Sequence, residues 1–96
     1  MKVQHNPEQS SLTLYPNPTP QYDDFALWGQ KLIAQCNDCQ FNHLDTGADR
    51  HKLTFTFSQN RFSLNYETYS NSIWIETDEP NAIGTLEQLH TAILAL

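Results

Sequence analysis

The chain has 96 residues, of which 39% are hydrophobic and 17% charged, and its formal net charge is −6. A chain this short builds one hydrophobic core, so we expect a single domain over residues 1–96. The acidic balance, with no cluster of lysine and arginine, argues against nucleic acid and anionic membranes as partners.

The N-terminal segment carries no recognisable targeting signal. No apolar run follows residues 1–6, and no stretch approaches membrane-spanning length. We therefore expect a cytoplasmic protein whose two cysteines are reduced. Residues 1–9 are polar, and we expect them to form a disordered tail.

A short strand and an amphipathic helix are the first predicted elements. Residues 11–15 (SLTLY) alternate, and three closely spaced prolines end the strand. Thr19 suits the N-cap and Pro20 the first position of a helix, so we expect a helix over residues 20–36. Its apolar stripe holds Phe25, Trp28, Leu32 and Cys36.

Four more strands are predicted in the middle of the chain. Residues 39–46 form the weakest, because Phe41 and Leu44 share a face only if the strand is bulged or irregular. Strict alternation predicts two strands between residues 52 and 67, separated by a polar turn at residues 58–60. After a second turn, residues 73–75 (IWI) begin the last strand.

The chain closes with a second amphipathic helix. Thr85 and Gln88 have the spacing of a capping box, with Thr85 as the N-cap. The element order β-α-β-β-β-β-α predicts an α+β two-layer sandwich, with two helices on one face of a mostly antiparallel sheet of four to five strands. We expect a core formed by Phe25, Trp28, Leu32, Phe55, Phe57, Phe62, Leu64, Leu89 and Ile93.

Cys36 and Cys39 form a C-x-x-C pattern at the C-terminal end of the first predicted helix. A redox pair is activated at a helix N-terminus, so this position favours two inert structural thiols. His43 and His51 follow at spacings that a zinc site can use, but no downstream ligand pair completes a zinc finger. A metal site and a redox pair remain as alternatives to the structural role.

Acidic residues near the predicted strand ends are a second candidate group, formed by Asp45, Asp49, Glu76, Asp78 and Glu79. We expect a solvated rim, with a hard-cation site as the alternative. The sequence has no G-x-S-x-G, glycine-rich phosphate loop or H-E-x-x-H motif, so we expect no enzyme and no cofactor. A small enzyme whose site is not visible in the sequence is the third possibility.

Trp74 is the strongest functional candidate. If Ile73 and Ile75 face the helices, Trp74 lies on the opposite sheet face beside Tyr69; the alternative is a core tryptophan between outward isoleucines. An exposed aromatic patch on an open sheet marks a binding surface. We therefore expect Trp74 and Tyr69 to form a protein-interaction or self-association surface, of which a homodimer is the simplest use.

The order of helix, antiparallel meander, Ile-Trp-Ile strand and closing helix over residues 23–94 resembles the frataxin family. The resemblance rests on that order and on the residues Ser72-Ile73-Trp74-Ile75. It implies a metal-binding or metal-delivery domain, in which an exposed tryptophan acts with an acidic helix in iron–sulphur assembly. Ser72 stands where the family has glutamine, and the acidic ridge is reduced to Asp23 and Asp24.

Overall fold

In the computed structural model, which describes residues 1–96, six strands form one antiparallel sheet and two helices pack on one of its faces. The strands are β1 (Lys2–Asn6), β2 (Ser11–Tyr15), β3 (Cys39–Thr46), β4 (Arg50–Phe57), β5 (Asn60–Glu67) and β6 (Ser72–Glu76). The helices are α1 (Tyr22–Gln35) and α2 (Ile83–Leu94), and short 3-10 turns span Pro7–Gln9 and Pro80–Ala82. The strands lie in the order β1-β2-β6-β5-β4-β3. The predicted α+β two-layer fold is confirmed, with six strands rather than four to five.

The sixth strand comes from the N-terminus. The prediction of a disordered tail over residues 1–9 was wrong, because β1 pairs with β2 along its whole length. Val3 lies opposite Leu14 and His5 opposite Leu12, so both side chains face α2, which contacts β1. Ser10 adopts a left-handed conformation, with φ of 51°, and reverses the chain between the two strands. The hairpin's backbone hydrogen bonds therefore hold a segment that is too polar to show its strand character in the sequence.

Strict alternation in β4 and β5 buries one face of each strand, as predicted. Phe55 and Phe62 lie opposite each other, and their stacked ring centroids are 5.8 Å apart. Ser58 and Gln59 have φ values of 50° and 70° and join the strands as a two-residue turn. Two successive positive φ values match the twist of the flanking strands, so this turn fixes the hairpin register.

A β-bulge brings the apolar residues of β3 onto one face. The register against β4 shifts between Phe41 and His43, so that Phe41 lies opposite Phe55 and Leu44 opposite Leu53. The amide Nδ2 of Asn42, the extra residue, donates to Thr56 Oγ1 at 2.8 Å. The predicted irregularity is therefore a bulge, which turns both apolar side chains of this edge strand toward the helices.

Both helices begin at residues other than the predicted caps. α1 has Gln21 as its N-cap, and the Thr19 hydroxyl instead donates to the Pro16 carbonyl at 3.2 Å. α2 starts at Ile83, directly after the 3-10 turn, so Thr85 lies within its first turn and accepts a hydrogen bond from Asn60 Nδ2. Thr19 therefore caps the preceding proline segment rather than α1, and the 3-10 turn starts α2 two residues before Thr85.

The core lies between the sheet and the helices. α1 packs on β3, β4 and β5, and α2 packs on β1 and β2, so the two helices cover opposite sides of the same sheet face. Eight of the nine predicted core residues are buried, and Trp28 is half-buried against the same cluster. At Gly29 a Cβ atom would lie 3.2 Å from side-chain carbons of both Leu53 and Leu64, so glycine allows α1 to approach the sheet closely. Neither helix has the length and apolar character of a membrane span.

Replacing Phe55 with alanine tests the assignment of the buried face. Phe55 is fully buried in the middle of β4, so Phe55→Ala should lower the free energy of unfolding by about 3–5 kcal/mol. Thr54→Ala, on the other face of the same strand, should cost less than about 1 kcal/mol. Urea denaturation of the two variants measures both values, and equal losses would show that the faces of β4 are assigned wrongly.

Candidate functional site

The sheet face opposite the helices is covered by no other element, and we call it the open face. Ile73 and Ile75 are 1% and 0% exposed on the helix side, so the alternation of β6 turns Trp74 to the open face. Trp74 lies opposite Thr13 on β2 and Asn65 on β5. The ring is half-buried, so it rests against its neighbours and still presents a surface to solvent.

Tyr69 does not lie beside Trp74. It belongs to the turn between β5 and β6, is 84% exposed, and forms no aromatic pair with Trp74. The carboxylate of Glu67 closes this turn by accepting hydrogen bonds from the backbone N–H and the hydroxyl of Ser70. These bonds lower the pKa of Glu67 below its ordinary value. The structure therefore separates the two predicted interaction residues.

Small polar side chains form the floor around Trp74. Ser11, Ser63 and Asn65 lie on the open face yet are only 6–7% exposed. Asn65 Nδ2 donates to Ser63 Oγ at 3.0 Å and to the Trp74 carbonyl at 3.4 Å. Hydrogen bonds thus fix the Asn65 side chain next to the tryptophan.

Two recesses that are open to solvent lie on this face and share Glu76. The first has a volume of about 440 Å³ and is lined by Asp45, Lys52, Thr54, Arg61, Phe62, Ser63, Glu76, Thr77 and Asp78. The second has a volume of about 540 Å³ and is lined by Gln9, Ser11, Thr13, Glu67, Ser70, Ser72, Ile73, Trp74 and Glu76. Each recess is lined mainly by polar and charged side chains, which suits hydrogen bonding and ion pairing more than the binding of an apolar ligand.

Lys52 and Arg61 were not singled out in the sequence, and both line the first recess. Neither forms an ion pair within the chain, in which Arg50 pairs with Asp49 and His43 is hydrogen-bonded to Asp45. The signal for these two cations was their place in alternating stretches, since each precedes a buried apolar residue, Leu53 or Phe62. Their charges are available to a binding partner.

The predicted acidic rim is divided. Asp45, Glu76 and Asp78 line the first recess together with the two cations, while Asp49 pairs with Arg50 at 3.7 Å. The Glu79 carboxylate accepts from the backbone N–H of Arg61 at 3.3 Å. No group of three or more histidine, cysteine, aspartate and glutamate side chains converges as metal ligands do.

The cysteine and histidine candidates are also separated. Cys36 is a buried C-cap residue of α1, and Cys39 is half-buried at the start of β3; both are free thiols. Burial raises the pKa of the Cys39 thiol far above its ordinary value, and the neighbouring Cys36 and Asp38 add to this shift. His43 lies on the exposed edge strand and bonds Asp45 at 2.8 Å.

His51 is a buried structural residue on the helix side. Its Nε2 donates to the Tyr22 carbonyl at 3.0 Å, and its Nδ1 lies 3.2 Å from the Thr46 hydroxyl. Because a carbonyl can only accept, Nε2 carries a proton, and in the neutral ring Nδ1 accepts from the Thr46 hydroxyl. His51 therefore ties the first residue of α1 to the β3–β4 hairpin, and it belongs to no converging group of metal ligands.

The high pKa of Cys39 predicts a thiol that alkylates slowly. Iodoacetamide reacts with thiolate, so native Cys39 should react more slowly at pH 8 than the same residue in the unfolded chain. Because the folded pKa lies above the ordinary value of 9.0, the stability linked to this thiol is present below pH 9 and is lost as the pH rises further. Mass spectrometry of native and denatured protein over time measures the rates. Equal rates in the two states would contradict the burial of this thiol.

The fold and the open face define the protein as an antiparallel α+β domain with a single tryptophan on an uncovered polar sheet surface. The chain belongs to the family described as protein of unknown function (DUF3630), which matches residues 1–93. The matched region includes every strand and helix except the last residue of α2. No curated protein and no solved structure matches the chain, so the resemblance to the frataxin family gains no support from these comparisons.

Proposed function

We propose that this chain is a non-catalytic recognition domain that binds a protein surface through its open face. The observation that carries the proposal is Trp74, a large aromatic side chain held in an inner strand of a sheet face that nothing in the chain covers. Tryptophan is enriched among the residues that dominate binding energy, because it combines a large apolar area with a hydrogen-bond donor.

The surroundings of Trp74 suit a preorganised binding surface. β6 lies between β2 and β5 and is hydrogen-bonded to both, so the backbone beneath the ring is fixed before a partner arrives. The Asn65 amide bonds the Trp74 carbonyl and restrains the strand further. A surface that is already ordered loses less conformational entropy when it binds, and this raises affinity for a given contact area.

Lys52 and Arg61 supply specificity in this proposal. Both lie on the open face near carboxylates without forming ion pairs inside the chain, so each can pair with an acidic group of a partner. Charges at the edge of an interface steer association and reject wrong partners more than they add affinity. A partner would therefore present an apolar surface to Trp74 and acidic groups to the neighbouring recess.

Recognition is better supported than the two other functions considered. Metal delivery requires ligands that converge, and the acidic and Cys–His groups are divided between the sheet face, the edge strand and the core. Catalysis requires an activated group, and no serine, threonine or cysteine is hydrogen-bonded to the exposed His43–Asp45 pair. We further propose a cytoplasmic location, since neighbouring free thiols persist in a reducing compartment.

Replacing Trp74 with serine tests the proposal. Tagged wild-type protein should retain a specific protein from an extract of its source cell, and Trp74→Ser should retain at least about tenfold less, the effect of losing a binding anchor. Leu27→Ser is the matched control, because Leu27 is 63% exposed on α1 in the other layer. Quantitative mass spectrometry of the retained proteins gives the comparison.

The proposal predicts that both variants keep the wild-type circular dichroism spectrum. Equal loss of the partner from Trp74→Ser and Leu27→Ser would contradict a role for the open face. Unfolding of Trp74→Ser alone would show that the ring is part of the core.

A further inference from the structure

The strand alternation separates the charges of this chain between its two sides. Four of the five lysine and arginine residues project from strands onto the open face. They are Lys2, Arg50, Lys52 and Arg61. Three acidic residues share this face, namely Asp45, Glu67 and Glu76. The fifth basic residue, Lys31, lies on α1, and the other eight acidic residues lie on the helices and loops.

The strand residues of the open face therefore carry a formal charge of +1, and the rest of the chain carries −7. When Asp78, which lines the first recess beside them, is counted with the face, the face is neutral and the rest of the chain carries −6. Opposite signs also alternate within the face. Lys52 lies opposite Asp45 in the β3–β4 pair, and Arg50 lies opposite Glu67 in the β4–β5 pair. A patch in which both signs alternate can meet a rotated copy of itself with cations against carboxylates.

This distribution decides how two copies of an acidic chain can approach each other. Contact through the helices or loops brings surfaces of like negative charge together, and each copy repels the other. Contact through the open faces brings two nearly neutral, mixed surfaces together and leaves the negative charge outside. The repulsion between two chains of net charge −6 is smallest in this orientation.

The open face is large enough for a dimer interface. Six strands spaced about 4.8 Å apart, each five to eight residues long, cover roughly 25 by 20 Å, or about 500 Å² per copy. With the relief of the side chains, two stacked faces would bury on the order of 1,000–1,500 Å² in total, which reaches the lower part of the range for specific interfaces.

We infer that the partner on the open face is a second copy of this chain, stacked sheet to sheet about a two-fold axis. The inference rests on the proposed function, because it names the partner of the same surface. The dimer has four layers, with helices outside and two sheets inside, and Trp74 of each copy lies in the interface. Polar floors and mixed charges make it a reversible dimer rather than an obligate one.

Two charge-reversal substitutions of lysine distinguish the contribution of the open face to dimerisation from the contribution of net charge. Lys52→Glu and Lys31→Glu each change the net charge from −6 to −8, but Lys52 lies on the open face and Lys31 on α1. Both side chains are exposed, so both variants should fold. Sedimentation equilibrium at increasing protein concentration measures the dimer dissociation constant. We expect a dimer for the wild type, a dissociation constant raised at least tenfold by Lys52→Glu, and less than a threefold change by Lys31→Glu.

The results that overturn the inference are equally distinct. A wild-type chain that stays monomeric to millimolar concentration overturns it, and so does an equal effect of the two reversals. Arg61→Glu, on the same face, repeats the test if the circular dichroism spectrum of Lys52→Glu is altered. If the wild type is monomeric but binds a different protein, and the Trp74→Ser variant does not, then the homodimer is wrong and the proposed recognition function stands.

Discussion

Burial of the central apolar row of the sheet is the constraint on which the rest of this structure depends. Leu12, Ile75, Leu64 and Leu53 lie side by side across four strands, and each is fully buried beneath the helices. A shift of one residue in any of these strands would turn its apolar side chains to solvent. Each apolar side chain that became exposed would cost about 1.5–3 kcal/mol. Burying the single ring of Trp74 on the helix side would not offset the exposure of apolar side chains from several strands. The position of Trp74 follows from this row.

The same constraint produces the difference in composition between the two sides of the molecule. Every strand residue that cannot face the core must face the other way, so all lysine, arginine, aspartate and glutamate residues of the strands lie on the open face. The helices bury their apolar stripes, and the remaining carboxylates lie on the helices and the loops, including Asp23 and Asp24 in the first turn of α1. Charge separation and the isolated tryptophan thus have one physical origin, which is the alternation of side chains along paired strands.

Much of this arrangement could be predicted from the sequence, because its strongest signals are local. Alternation in β4 and β5 and the Ile-Trp-Ile segment gave the strands, the core and the orientation of Trp74. Phe41 and Leu44 would lie on opposite faces of a regular strand, and this spacing correctly indicated a bulge. The missed features depend on contacts between distant segments. β1 is a strand because β2 pairs with it, and Thr85 does not cap α2 because the chain is already helical from Ile83.

The candidate site was less predictable for the same reason. Its members come from four or more strands, and their neighbours are set by the register between strands rather than by spacing along the chain. Lys52 and Arg61 line the same recess because β4 pairs with β5. Tyr69 lies away from Trp74 because the hydrogen bond between Glu67 and Ser70 closes the turn that contains it. A sequence pattern gives the face on which a side chain lies, but not the side chains that surround it.

Fluorescence quenching of Trp74 tests the central claim most directly. In a Trp28→Phe variant, Trp74 is the only tryptophan, and acrylamide quenching then reports its exposure at each protein concentration. An open-face tryptophan that binds a second copy should be quenched readily in dilute protein and become protected as the concentration rises. Strong protection that persists at every dilution would contradict the account, because it would place Trp74 in the core of the monomer.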